Sequence, residues 1–205
     1  MGPPYADEVE LVSMHSISKG LTGECGLRGG YFEVHNLDMF AQDMLYKLKS
    51  VELCSNTVGQ VATYLMIDPP KEGRESSACV EQHQRETQAI FHGMTERAKL
   101  LTQTLNVMDN VSSNRIEGAM YAFPSIEFTP KAIEAARQKN VAADLLYCME
   151  MVDQTGIMTV PGSGFGQKEG TYHFRLTNLV TPTEDMADTL EHLKQFNTAF
   201  HEKYS

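Results

Sequence analysis

The longest periodic segment of the chain does most to limit its fold. From residue 75 to about residue 106, apolar residues recur at intervals of three and four positions. This spacing places them along one side of an α-helix, where they can pack against a core. The sequence therefore predicts one long helix with further elements on either side. Its apolar stripe comprises Ile90, Met94, Ala98, Leu101, Leu105 and Met108.

Upstream of this helix the sequence predicts two strands and two helices. Apolar runs at residues 11–14 and 31–34 are strand-like. Residues 37–50 place their apolar side chains on one helical face, and residues 55–67 form a further helix candidate. Asp68-Pro69-Pro70 ends the latter, because proline cannot continue a helix.

Downstream, short strands and helices alternate, which indicates an α+β region with about three helices. Residues 120–123 and 157–160 are strand-like, and Thr129-Pro130 predicts the start of a helix to about residue 139. A helix over residues 144–154 is expected to turn Leu145, Met149 and Val152 inward. Thr183 is expected to cap the last helix. The buried stripe of that helix is predicted to be Met186, Leu190, Leu193, Phe196 or Asn197, and Phe200.

The first chemically informative stretch is residues 15–30, His-Ser-Ile-Ser-Lys-Gly-Leu-Thr-Gly-Glu-Cys-Gly-Leu-Arg-Gly-Gly. If the strand before it continues through Ser18, then Ser16 and Ser18 point to the same side. Two hydroxyls, the Arg28 guanidinium and glycine-rich backbone amides make a seat for a phosphate. Lys19 beside that seat can form a Schiff base with an aldehyde cofactor. The alternative is a strand end with a solvated lysine.

A second stretch lies far downstream. Residues 161–170 are rich in glycine and predict a loop, after which residues 172–176 alternate as in a strand. Arg175 lies on the opposite face from its apolar neighbours. An arginine held on a strand can bind a carboxylate through two parallel hydrogen bonds. The alternative is an arginine on the solvent face of an amphipathic strand.

Together, residues 15–30, 117–124 and 161–176 resemble the signature blocks of the fold type I, pyridoxal-phosphate-dependent aminotransferases, and most of all their alanine-type branch. The resemblance covers essentially the whole chain. It implies an α/β fold: a partial fold type I structure that includes only the end of the large domain. Residues 1–74 would form this part of the large domain, residues 75–110 the long interdomain helix, and residues 111–205 the small C-terminal α+β domain.

The resemblance also implies roles for individual residues. Lys19 would hold pyridoxal 5′-phosphate as a Schiff base and then transfer a proton. Ser16, Ser18 and Arg28 would bind the cofactor phosphate, and Arg175 would bind the substrate carboxylate. The expected reaction converts L-alanine and 2-oxoglutarate into pyruvate and L-glutamate, in a full-length enzyme that is a homodimer. No arginine lies between Arg28 and Arg74, and this is consistent with a small amino acid as one substrate.

The chain departs from the family in one respect. Family members place a ring-stacking aromatic residue and an aspartate that pairs with the pyridine nitrogen upstream of the lysine. Only eighteen residues precede Lys19, and Asp7 is too near for that role. The chain therefore looks like the C-terminal half of such an enzyme. One hypothesis is a segment of a transaminase; the other is a non-catalytic remnant that folds, dimerises or binds a partner. A kynurenine-type transaminase or a cyclopropane-forming synthase is a further alternative.

Composition limits the partners. The formal net charge is −10 with only 17 lysines and arginines, which argues against a nucleic-acid or anionic-membrane surface. The four cysteines are widely separated and the histidines lack ligand spacing, so no metal site is expected. Scattered cysteines favour reduced thiols in an intracellular compartment, either cytoplasm or mitochondrion. No apolar run approaches membrane-spanning length.

Overall fold

The computed structural model describes residues 2–205, which divide into two compact units. The first unit extends to Thr87, and the second comprises Gln88–Ser205. The long helix that the sequence predicts is present as α4 (Ser77–Val107), which begins in the first unit and ends in the second. The boundaries at residues 74 and 110 remain predictions.

The first unit is a strand pair followed by helices. Its elements are α1 (Tyr5–Glu8), β1 (Leu11–Ser16), β2 (Gly30–His35), α2 (Met39–Val51), α3 (Thr57–Ile67) and the start of α4. The strands β1 and β2 are antiparallel and pair from Leu11 opposite His35 to Ser16 opposite Gly30. The predicted strands and helices of this region are thus confirmed.

Side-chain caps fix the starts of α2 and α3. Asp38 accepts a hydrogen bond from the backbone N–H of Ala41 at 2.9 Å, and Asn56 accepts one from that of Gly59 at 2.6 Å. These bonds satisfy N–H groups that lack partners within the helix. At the end of α3, hydrogen bonds from Lys71 and Arg74 hold the pKa of Asp68 well below its usual range.

The second unit contains three further helices and five short strands. They are β3 (Val111–Ser112), β4 (Tyr121–Ala122), β5 (Ser125–Ile126), α5 (Pro130–Gln138), α6 (Ala143–Thr155), β6 (Val160–Pro161), β7 (Phe174–Thr177) and α7 (Thr183–Lys203). Strand β7 lies between β4 and β6 in an antiparallel three-stranded sheet, and β3 pairs with β5. The predicted strand at residues 120–123 is present but shorter, as β4. The prediction of a strand at residues 157–160 is wrong except at its last residue, because β6 begins at Val160.

The core of the second unit is formed by α4, α6, β7 and α7. Tyr147 and Phe174 are completely buried, and Phe200 packs edge-on against Tyr147 with ring centroids 5.0 Å apart. The predicted stripe of α7 is buried from Met186 to Phe200. The predicted stripe of α4 is buried only at its C-terminal end, because the core covers that end alone; Ile90 is 49% exposed.

Two local predictions for the second unit are wrong. Helix α6 turns Leu146, Tyr147 and Met151 inward, whereas Met149 is 53% exposed. Apolar residues lie on two faces of this helix, so their spacing does not decide which face is buried. The buried face also carries Asp144 and Glu150, whose carboxylates are hydrogen-bonded. Thr183 is the first residue of α7 and not its cap; Pro182 holds the cap position and makes no side-chain bond.

None of the helices within residues 2–205 combines the length and the apolar character that crossing a membrane requires.

Candidate active site

The loop between β1 and β2 carries Lys19. Ile17, at the start of this loop, is buried, and its backbone N–H donates to the carbonyl of Gly29 at 3.2 Å. Its own carbonyl accepts from the N–H of Glu24 and the hydroxyl of Thr22, both at 2.8 Å. The loop is therefore tied at its base, while the Lys19 side chain is exposed.

Ser16 and Ser18 do not lie on one continuous strand, because β1 ends at Ser16. The reason is the turn that begins at Ile17, in which Gly20 has a φ of 62°. The two serines are nevertheless adjacent: the backbone N–H of Ser18 donates to the Ser16 hydroxyl oxygen at 3.3 Å. Both are half-buried.

Arg28 closes the loop in a left-handed backbone conformation, with a φ of 55°. Its Nη1 donates to the carbonyl of Cys25 at 3.0 Å, across a single turn of 3₁₀-helix. The side chain is exposed, so its remaining N–H groups can reach an anion. This turn places a guanidinium and a lysine on one loop.

Asn56, which the sequence reasoning did not identify, supports this arginine. Its Nδ2 donates to the carbonyls of Leu27 and Arg28, both at 3.2 Å, while its Oδ1 caps α3 through Gly59. One side chain thus joins the loop to the start of a helix. The detectable signal was an asparagine directly before the helix Thr57–Ile67, where a cap is expected.

Two glycines permit close contact between this loop and α3. A side-chain carbon at Gly29 would lie 2.4 Å from the carbonyl oxygen of Gly59 and 2.5 Å from the hydroxyl of Thr63. One at Gly59 would lie 2.6 Å from the carbonyl oxygen of Leu27. Glycine is required at both positions because backbone atoms occupy the space.

Arg175 lies in the second unit, on the central strand β7. Its Cζ lies 4.6 Å from the ring centre of Tyr121 and 5.0 Å from that of Phe165. Such contacts hold a guanidinium over aromatic faces and leave its edge able to donate hydrogen bonds. The side chain is half-buried, so it is not a freely solvated surface arginine.

The predicted residues therefore fall into two groups. Ser16, Ser18, Lys19 and Arg28 lie on one loop of the first unit, and Arg175 lies in the second. Sequence reasoning also missed a hydrogen-bonded group in the second unit, which comprises the buried Asp144 and the half-buried Gln167 and His173.

Comparison with solved structures shows the class of this fold. The chain resembles an alanine aminotransferase from Pyrococcus furiosus with a TM-score of 0.73 and 22% sequence identity, over 94% of this chain and 43% of that one. It resembles an aminotransferase from Escherichia coli with a TM-score of 0.71 and 20% identity, over 97% and 44% of the two chains. The fold is therefore part of the fold type I structure of the pyridoxal-phosphate-dependent aminotransferases, and the expected fold class is confirmed.

Sequence comparison shows which proteins the chain is similar to. All 205 residues align with alanine aminotransferase 2 of Xenopus tropicalis at 45% identity and with alanine aminotransferase 1 of Homo sapiens at 45%. Glutamate–glyoxylate aminotransferase 2 of Arabidopsis thaliana is 43% identical over the same length. No protein-family model matches the chain. The chain is thus a relative of the alanine aminotransferases, as the resemblance predicted.

The match covers only part of the relatives. The chain spans 38% of the frog protein, 40% of the human protein and 42% of the plant protein. This is consistent with the expectation that the chain corresponds to one part of such an enzyme.

Proposed function

We propose that this chain forms part of a transaminase that moves an amino group between L-alanine and 2-oxoglutarate, with pyridoxal phosphate as cofactor. The observation that carries the proposal is the segment of residues 15–30, where Ser16 ends β1 and is followed by Ser18, Lys19 and Arg28 in the loop before the paired strand β2. The relatedness of the whole chain to alanine aminotransferases supports it.

The donors of this loop fit a phosphorylated cofactor. The Ser16 and Ser18 hydroxyls, the Arg28 guanidinium and the backbone N–H groups of the turn are the donors that a phosphate dianion prefers. Asn56 holds the Arg28 backbone by a hydrogen bond at 3.2 Å, and the guanidinium itself is anchored on the Cys25 carbonyl at 3.0 Å. These residues would therefore hold the phosphate end of the cofactor.

Lys19 would provide the amine. Pyridoxal phosphate, when bound, supplies an aldehyde that reacts with amines and a ring that withdraws electrons from the substrate α-carbon. The ε-amino group of Lys19 would accept the proton from that carbon and deliver it to the cofactor. Arg175 would bind the α-carboxylate and set the direction of the bond that breaks.

A second candidate function has its own supporting observation. The first unit leaves large apolar side chains exposed, among them Met14 at 79% and Val51 at 80%. Exposed apolar surface of this extent is typical of a face that another polypeptide covers. Under this alternative, the chain is a folding, dimerisation or partner-binding domain without turnover. A homodimer with composite active sites belongs to the first proposal.

Reductive trapping would test the cofactor site. The purified chain is mixed with pyridoxal phosphate, reduced with borohydride and digested, and the modified lysines are identified by mass spectrometry. We expect dominant modification at Lys19, lost in Lys19→Ala and weakened in Arg28→Met. Lys47→Ala is the matched control, since Lys47 is an exposed lysine on α2 of the same unit. Equal modification of all exposed lysines would reject the site.

Turnover distinguishes the two candidate functions. Pyruvate formation from L-alanine is measured with 2-oxoglutarate or glyoxylate as acceptor, because a relative carries the glutamate–glyoxylate name. Trapping at Lys19 without turnover would favour the non-catalytic alternative for this chain.

We also infer an intracellular location, cytoplasm or mitochondrion, from the unpaired state of Cys25, Cys54, Cys79 and Cys148.

A further inference from the structure

A buried carboxylate organises the glycine-rich loop of the second unit. Asp144, in the first turn of α6, is completely buried. Its Oδ1 accepts from the backbone N–H of Leu145 at 2.9 Å, and its Oδ2 accepts from that of Ser163 at 2.7 Å and from Nε2 of Gln167 at 2.8 Å. Three donors and the positive end of a helix offset the cost of burying the charge.

The carboxylate fixes the orientation of the Gln167 amide. A carboxylate only accepts hydrogen bonds, so the NH₂ group of Gln167 must face Asp144. The Gln167 oxygen then faces Nδ1 of His173 at 2.9 Å. Because an amide oxygen cannot donate, this nitrogen of His173 must carry the proton. Asp144 therefore selects one tautomer of a histidine that it does not touch.

His173 in turn supports the aromatic rings around Arg175. The His173 ring stacks on Phe123 with a centroid distance of 4.9 Å and an interplanar angle of 2°. Phe123 packs edge-on against Phe165 at 5.5 Å, and Phe165 lies under the Arg175 guanidinium. The contacts run without interruption from the buried carboxylate to the arginine.

The backbone around the loop leaves no room for a side chain at Gly162. A side-chain carbon at Gly162 would lie 2.3 Å from Oε1 of Gln167 and 2.8 Å from the carbonyl oxygen of His173. That carbonyl accepts the Gly162 N–H at 2.7 Å. The glycine thus allows Gln167 to reach both of its partners at once.

We propose that Asp144, Gln167 and His173 are positioning residues that orient Arg175 for its carboxylate. This inference rests on the proposed function of Arg175 as a carboxylate-binding residue. A guanidinium that must form two parallel hydrogen bonds loses affinity when it is free to rotate, since the rotational entropy is then lost on binding. We call the series of contacts from Asp144 through Gln167, His173, Phe123 and Phe165 to Arg175 the relay. The relay removes that freedom before the substrate arrives.

Solution NMR of the 205-residue chain tests each link. The ¹⁵N shifts of the His173 ring report which nitrogen carries the proton, and the Arg175 Nε–H proton reports the ring currents of Tyr121 and Phe165. In the wild-type chain we expect a protonated Nδ1 and an upfield-shifted Arg175 proton. In Gln167→Met, we expect the histidine proton to redistribute to Nε2 and the Arg175 proton to move toward its random-coil position.

Two variants make the result specific. Gln195→Met is the matched control, because Gln195 is exposed on α7 and should leave both signals unchanged. Phe165→Leu interrupts the last link, so it should move the Arg175 signal while His173 keeps its proton on Nδ1. An unchanged Arg175 signal in a folded Gln167→Met chain would overturn the relay, as would a wild-type His173 protonated on Nε2.

Titration with pyruvate connects the relay to function. The affinity read from the Arg175 signal should fall by about tenfold in Gln167→Met and stay at the wild-type value in Gln195→Met. Equal affinity in Gln167→Met and the wild type would overturn the positioning role. If pyruvate leaves Arg175 unperturbed even in the wild type, the proposed function of Arg175 fails, whereas the effect of Gln167→Met on its orientation still supports the relay.

Discussion

The two units of this chain are stabilised in different ways. In the described part of the first unit, Ile17 and Val80 are the buried apolar residues, and both strands of the β1–β2 pair are largely exposed. The second unit buries a continuous aromatic and aliphatic cluster around Tyr147. An isolated strand pair is marginally stable in water, whereas a packed cluster supplies most of the free energy of folding.

The comparison also separates two kinds of site support. In the first unit, Asn56 holds the loop of Lys19 by hydrogen bonds, and Gly29 and Gly59 allow the loop to pack closely on α3. In the second, Arg175 is held on the central strand of a sheet that packs on the core. We expect the second unit to retain its structure under conditions in which the first unit opens.

The largest effect is expected from Tyr147→Ala. Tyr147 is completely buried, and its hydroxyl donates to Oδ1 of Asn197 at 2.9 Å. Removing the ring should lower the free energy of unfolding of the second unit by about 3–5 kcal/mol. Phe40→Ala in the first unit should change stability by less than about 0.5 kcal/mol, because Phe40 is 71% exposed. Urea unfolding with residue-resolved hydrogen exchange measures both effects. Similar losses of stability in the two variants would contradict the difference between the two units.

The cysteines report on the two units separately. Cys25, Cys54 and Cys79 are exposed in the first unit, whereas burial raises the pKa of the Cys148 thiol in the second to about 11. Because the thiolate is the reactive form, Cys148 should react with iodoacetamide at pH 8 at least about a hundredfold more slowly. Peptide mass spectrometry over time measures the rates. Equal rates in the native chain would show that the second unit opens as readily as the first.

Gly59→Ala tests whether the first unit has a fixed structure of its own. The added carbon would collide with the carbonyl oxygen of Leu27, so we expect the contact between the loop and α3 to weaken by about 1–3 kcal/mol. Gly26→Ala is the control, because a carbon there would meet nothing within 4 Å. Hydrogen exchange at the Glu24 amide measures the effect. No change would mean that this loop is already open in the native chain.

The smallest effect concerns acid stability of the second unit. Burial opposes ionisation of Glu150, but hydrogen bonds from Lys203 and Tyr204 outweigh it and set its pKa below the usual 4.5. The folded form thus favours the ionised carboxylate, and this contribution is present above pH 4.5 and lost as the pH falls through the lower folded pKa.

Glu150→Gln should therefore reduce stability at pH 7 and make it less dependent on pH below 4.5. Thermal unfolding followed by circular dichroism from pH 3 to pH 7 measures both effects. Glu134→Gln is a suitable control, since Glu134 is exposed on α5. Parallel pH profiles for Glu150→Gln and the wild type would contradict the assignment.

Much of the fold follows from local patterns. Periodicity located the long helix and the buried stripe of α7, and Thr129 caps α5 through Ala132 as expected. These features depend on contacts between residues a few positions apart, which sequence spacing specifies directly. The predicted inward face of α6 is wrong because apolar residues lie on two sides of this helix. Contacts with distant residues decide which side is buried: Glu150, for example, binds Lys203 and Tyr204, which are more than fifty positions away.

The candidate site also has features that the sequence determines and features that only the tertiary structure determines. The sequence by itself determined which residue types are present on the loop of residues 15–30, and hence the chemistry available to Lys19 and Arg28. Only the tertiary structure decided what holds them and Arg175 in place, namely Asn56 in the first unit and the Asp144 relay in the second. A side chain's chemistry is a local property, whereas its orientation depends on partners that folding brings close from distant parts of the chain.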